Sequence, residues 1–138
     1  MKTITIQGTA KTPSIMFNSD KGLLEIKGIS MPENSKDFYK PLIKWCEKYV
    51  NNPHERTIIN IQLEDFDAPS LKVLLICSDL LYCLNLMKTI KESHRDILIN
   101  WFYKDLNVMG LGEDYEKLTG LQFQFSRKSQ MEDMYTNW

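Results

Sequence analysis

The stretch RTIINIQLEDFDAPSLKVLLICSDLL, residues 56–81, changes period once, and that change decides the fold. Its first part alternates: Ile59, Ile61 and Leu63 fall on one face of an extended segment, as in a strand covered on that side. An acidic cluster, Glu64, Asp65 and Asp67, follows. The chain turns at Asp67-Ala68-Pro69-Ser70, and a long apolar segment begins that reads as one helix from Ser70 to about Lys91. This helix is apolar over much of its circumference, which predicts that it is largely buried. A strand running into a helix through a short turn is the building unit of α/β folds, and the turn is a frequent place for function.

The same two periods recur outward from this unit. Towards the N-terminus, TITIQGT and SIMFNSD alternate and GLLEIKGIS follows, with Asn18 to Gly22 as the turn of a hairpin. In MPENSKDFYKPLIKWCEKYVNN, Phe38, Leu42, Trp45 and Tyr49 form one row at helical spacing. Tyr39, Ile43, Cys46 and Val50 form the adjacent row. Asn34 or Ser35 is positioned to cap this helix, and Asn51, Asn52 and Pro53 end it. Pro41 cannot donate a backbone hydrogen bond, so the helix is expected to start late or bend there. Towards the C-terminus, DILINWFYKD reads as a strand. GLGEDYEKLTG reads as a short helix, with Glu113 and Asp114 complementing its N-terminus and Gly120 as its stop. LQFQFSRK is a last strand. The order β-β-β-α-β-α-β-α-β implies an α/β (α+β) domain: a mixed sheet, antiparallel at the hairpin and parallel at the crossovers, covered by helices.

The 138 residues suit a single domain, 1–128, with a polar tail, 129–138, that carries two aromatics and reads as loosely ordered. Such a domain buries roughly two-thirds of its unfolded surface and needs no metal or disulfide to fold. The net charge of -1 gives no footprint for nucleic acid. No apolar run reaches the roughly 18 residues of a membrane span. The N-terminus lacks the apolar stretch of a signal peptide. Cys46, Cys77 and Cys83 form no Cys-x-x-Cys pair and read as buried free thiols, in keeping with a cytoplasmic setting.

Catalysis finds little support. Glu64, Asp67 and Asp105 could gather at strand ends to hold a divalent metal for phosphoryl transfer. Against that, Asp67 suits a helix N-cap, and Glu64 and Asp65 suit a solvated sheet edge. His54 and His94 are isolated in loops, without a cysteine or serine partner. The two glycines of GLGEDYE are not followed by the lysine of a phosphate loop. The turn itself offers a different chemistry. A helix N-terminus stabilises a phosphate, and a phosphate on Ser70, with Lys72 nearby, would change the local charge by nearly two units. The plainer reading is a serine that supports the cap, and a small phosphorylated ligand bound at the turn is a further alternative.

The segment with Ile26, Gly28, Ser30, Pro32, Glu33 and Asn34, continued by Phe38, Tyr39, Pro41 and Trp45, resembles the SiaC family of bacterial regulatory phosphoproteins. Trp101 in INWFYKD, and Gly112, Glu113 and Asp114 in GEDYEKL, extend the resemblance, which runs from about Thr12 to Phe125. It implies a fold similar to the STAS domain of anti-sigma-factor antagonists, no catalysis and no cofactor. It implies protein partners: a Ser/Thr kinase that phosphorylates a threonine at the strand-to-helix turn, and a PP2C-type phosphatase that removes the phosphate. A diguanylate cyclase is bound by the unphosphorylated form, which promotes cyclic-di-GMP synthesis and biofilm formation.

At that turn the sequence departs from the family. The family motif is similar to Tyr-Phe-Asn-Thr-Ser-Ser-x-Lys, whereas this chain has Asp65, Phe66, Asp67, Ala68, Pro69, Ser70, Leu71 and Lys72. Phe66, Ser70 and Lys72 fit, but the phosphoacceptor position is Ala68, which has no hydroxyl. This leaves three readings. Ser70 is a substitute acceptor; or the protein is locked, Ala68 mimicking the unphosphorylated state by lacking phosphate while Asp67 imitates phosphate poorly, with one charge instead of nearly two; or the fold is kept and the partner changed. Pro69 alters the backbone a kinase would grip, which ranks the last two above the first. In each, Asp67, Ser70, Leu71 and Lys72 are the expected partner-binding residues.

Overall fold

The structure, a computed structural model, describes residues 2–29, 35–64 and 78–128. Six strands form one sheet in chain order: β1 (Ile4–Ile6), β2 (Ser14–Asn18), β3 (Leu23–Gly28), β4 (Arg56–Leu63), β5 (Asp96–Tyr103) and β6 (Phe123–Arg127). The first three pair antiparallel, and β3 to β6 pair parallel. The helices are α1 (Ser35–Tyr49), α2 (Ser78–Leu86), α3 (Lys88–Glu92) and α4 (Leu106–Thr119). The expected mixed sheet, hairpin and parallel crossovers are all present.

Register explains the core. Phe17 pairs with Leu24, Leu24 with Ile59, Ile59 with Ile99 and Ile99 with Phe123, and all five are buried. The next inward row, Ile15, Ile26, Ile61 and Trp101, is buried as well. The crossovers advance along the sheet in one direction, so their right-handedness places every helix on the same side. Tyr39, Leu42, Trp45, Cys46 and Tyr49 of α1, and Leu80, Cys83 and Leu84 of α2, join these strand residues in one cluster.

Several expectations are corrected. Helix α1 does not start late; it runs from Ser35 through Pro41. Pro41 lies on the exposed side, where the loss of one backbone hydrogen bond is tolerated. Within the described residues the long helix is two. Around Met87 the ladder tightens: Met87 N–H donates to Leu84 O (3.1 Å) and Ile90 N–H to Met87 O (3.0 Å). Such three-residue bonds belong to a 3₁₀ turn, and the buried Met87 side chain anchors it. The helix expected at residues 110–120 begins one turn earlier, at Leu106. Asp105, with extended backbone, accepts a hydrogen bond from Val108 N–H (3.0 Å). Glu113 and Asp114 therefore sit mid-helix and exposed, and do not complement the N-terminus. Gly120 does stop the helix, in the left-handed region with φ 69°.

Candidate functional site

All four parallel strands end at one edge of the sheet, the edge where open α/β sheets place their functional loops. Gly28 closes β3 and pairs with Leu63, the last residue of β4. Gly28 has a φ of 121°, a conformation that side chains disfavour, and its carbonyl accepts from Glu64 N–H at 2.9 Å. The carboxylate of Glu64 lies 3.9 Å from Lys104 Nζ, just past the end of β5. Lys128, just past β6, donates its N–H to Tyr103 O (2.7 Å) and holds its ammonium 4.6 Å from the centre of the Phe102 ring.

The acidic cluster divides here. Asp105 uses its carboxylate as the N-cap of α4, and Glu64 pairs with Lys104. The expected gathering of Glu64 and Asp105 into a metal site is therefore not supported. Among the described residues no group of three or more His, Cys, Asp or Glu side chains could hold a metal ion. Asp65 and Asp67 lie outside the described residues, as do Phe66, Ala68, Pro69, Ser70, Leu71 and Lys72. Ser30, Pro32, Glu33 and Asn34 also lie outside them. In the sequence these segments come shortly after β3 and β4.

The remaining motif residues sort by environment. Tyr39, Trp45, Trp101 and Gly112 are buried, and their roles are in packing. Trp45 stacks on Tyr49 with ring centres 5.0 Å apart, and its indole N–H reaches Lys2 O at 2.9 Å, tying the N-terminal end of β1 to α1. Tyr49 in turn shares a 2.8 Å hydrogen bond with the Thr57 hydroxyl at the start of β4. Phe38 is half-buried, its ring edge-on to Tyr39 at 5.1 Å. Pro41, Glu113 and Asp114 are exposed. Cys46 and Cys83 are buried free thiols, as expected; the hydrogen bond between them and their burial push the Cys46 thiol well above its usual range. Cys77 lies outside the described residues. The two histidines are exposed.

The periodicity of the core did not point to a polar ladder on the sheet face away from the helices. Asn100 donates to Asn60 at 2.9 Å, and Asn60 is hydrogen-bonded to Glu25. Burial, partly offset by that bond and by Lys27, raises the Glu25 pKa. The signal for this ladder lies in the opposite phase of the alternation: positions 25, 60 and 100 share one row. Among the described residues no helix is long and apolar enough to cross a membrane.

Comparison with known proteins agrees with the topology. The family model described as SiaC family regulatory phosphoprotein matches residues 6–128. An uncharacterised protein of Pseudomonas aeruginosa (strain UCBPP-PA14) is 27% identical over 122 residues, covering 85% of this chain and 90% of the relative. Among solved structures, SiaC of Pseudomonas aeruginosa superposes with a TM-score of 0.78 at 22% identity, over 93% of this chain and 100% of that one. The apo form of SiaC from the same organism gives 0.70 at 25% identity, over 94% and 100%. The complex of the diguanylate cyclase SiaD with its activator SiaC, also from Pseudomonas aeruginosa, gives 0.74 at 23% identity, over 91% and 99%. With the family model matching from the last residue of β1 to just past β6, this chain belongs to the SiaC family of regulatory phosphoproteins.

Proposed function

We propose that this protein is a non-enzymatic signalling switch or adaptor that binds a protein partner, a diguanylate cyclase by analogy with SiaC and SiaD, at the carboxyl edge of its parallel strands. The observation that carries this reading is the family match across residues 6–128, together with likeness to SiaC, which has been seen in complex with a diguanylate cyclase. The partner surface in this reading is Asp67, Ser70, Leu71 and Lys72, in the segment that follows Glu64 in the sequence. A kinase and a PP2C-type phosphatase would set its state in the cytoplasm, and cyclic-di-GMP output and biofilm formation would follow.

Ala68 gives this reading its particular form. Without a hydroxyl at the acceptor position the usual phosphorylation cannot take place there. The protein is then locked in a partner-competent state, reassigned to another partner, or modified at Ser70. A metal-assisted phosphoryl-transfer enzyme is the weaker alternative, because Asp105 already serves as a helix cap.

The test is intact mass with phosphopeptide mapping on protein from its native cell, paired with a pull-down of the cognate cyclase. Binding that persists with no phosphate from Asp65 to Ser78 supports a constitutive binder. Phosphate on Ser70, with Ser70→Ala and Ser70→Asp giving opposite binding, supports a displaced switch. Failure to bind any cyclase in both states sinks the cyclase reading. Ala68→Thr, offered to a kinase of the family, should regain phosphorylation if the surrounding surface is retained.

A further inference from the structure

Helix α4 carries a glycine that the fold does not ask for. Gly110 sits in the interior of α4 with ordinary helical backbone, and a β-carbon there would meet nothing within 4 Å. Glycine is among the least favourable residues in a helix interior, so at this open position it weakens the free chain without any packing return. The same helix begins with Leu106, which is 65% exposed, the most exposed large apolar side chain among the described residues. The buried anchors of α4 are Val108, Leu111, Gly112 and Tyr115, and its N-terminus is held by the Asp105 cap; Leu106 contributes to neither.

Both residues belong to one feature. On a helix surface residues three and four apart are neighbours. Leu106, Met109, Gly110 and Glu113 stand at i, i+3, i+4 and i+7, the outline of a hole into which a facing helix inserts a side chain. The missing side chain of Gly110 leaves this hole deep. Leu106 and the half-buried Met109 give it apolar walls, and the exposed Glu113 closes its far end with exposed Asp114 beside it. Shape and charge together select an amphipathic helix: a large apolar side chain for the hole, and a Lys or Arg one turn along for the two carboxylates. Leu106 also comes two residues after Lys104, whose ammonium is 3.9 Å from Glu64. Glu64 is in turn followed in the sequence by the segment with Asp67, Ser70, Leu71 and Lys72.

Resting on the partner-binding reading above, we propose that the outer face of α4 is a second contact for the same partner: a helix of the diguanylate cyclase seats an apolar side chain in the hole over Gly110 and sets a basic side chain against Glu113 and Asp114. Gly110 is then a specificity-determining residue, kept for the room it leaves to the partner.

Equilibrium binding of the full chain to the purified cyclase of its native cell tests this, with urea unfolding of each variant alongside. Gly110→Gln fills the hole without crowding the chain, so it should unfold no earlier than the unchanged protein yet bind at least about tenfold more weakly. Leu106→Ser should weaken binding similarly, and Glu113→Arg should weaken it more at low salt than at high salt. Leu118→Ser removes the other exposed leucine of α4, 56% exposed and outside the hole, and should leave binding unchanged. Unaltered binding by Gly110→Gln and Leu106→Ser overturns the proposal and leaves the partner reading standing. Equal loss in all variants, Leu118→Ser included, overturns it as well. Absence of binding by the unchanged chain overturns both.

Discussion

Gly112 lies against the indole of Trp101: a β-carbon at residue 112 would meet ring atoms Cε2 and Nε1 at 2.6 Å. The ring cannot retreat easily. Its N–H donates to Val108 O at 2.9 Å, Tyr115 meets it edge-on at 5.7 Å, and Phe123 stacks on it at 6.0 Å. Gly110, on the same helix, faces open space: a β-carbon there would meet nothing within 4 Å.

Those two glycines should therefore respond with opposite signs. Alanine normally stabilises a helix interior by about 1 kcal/mol over glycine. Gly110→Ala should follow that rule. Gly112→Ala should instead destabilise by roughly 1–3 kcal/mol through overpacking. Urea unfolding of both variants checks this. Equal shifts in the same direction would refute the close-contact account of Gly112.

Asp105→Ala should cost about 1 kcal/mol, the usual loss of an N-cap carboxylate. Asp105→Asn, which retains a capping oxygen, should cost less. Neither substitution should change the response of the melting temperature to Mg²⁺, because the carboxylate is engaged by Val108 N–H. A melting temperature that rises with Mg²⁺ only when Asp105 is intact would revive the metal site.

Much of this fold was legible because its two periods are clean. The 59, 61, 63 alternation and the double row on α1 left little freedom in assigning strand or helix. What escaped depended on local geometry that the two periods do not carry. Asp105 became a cap because a serviceable acceptor stood just before Leu106, whereas Glu113 and Asp114 were drawn into the N-terminal role by proximity to glycines that lie within the helix. The break at Met87 has no proline or glycine to announce it. The candidate site was read through resemblance alone: Tyr39, Trp45, Trp101 and Gly112 are motif residues buried in packing, and no periodicity separates such residues from exposed ones that a partner could meet.

His94 has a φ of 63°, the one non-glycine residue with positive φ among those described. It follows α3, where Arg95 N–H reaches Ile90 O and His94 N–H reaches Lys91 O, the two bonds of a Schellman cap. Glycine takes that conformation without a side-chain penalty, so His94→Gly should stabilise the protein by about 0.5–1 kcal/mol. A thermal melt reads it, and a loss of stability would mean that the His94 side chain contributes more than its backbone strain costs.

Glu25 gives the fold a pH dependence with a definite sign. Its carboxyl pKa is raised, chiefly by burial on the sheet face away from the helices, with the Asn60 hydrogen bond and Lys27 opposing. The folded protein therefore holds this proton more tightly than the unfolded chain, whose value lies near 4.5. As pH rises through 4.5 and up to the folded value, the unfolded state releases its proton first, so this group's contribution to stability falls. Glu25→Gln keeps an oxygen that can accept from Asn60 and removes the charge. Its stability relative to the unchanged protein should be more favourable at pH 7 than at pH 4, with the difference lost across that window. Chemical denaturation at the two pH values measures it.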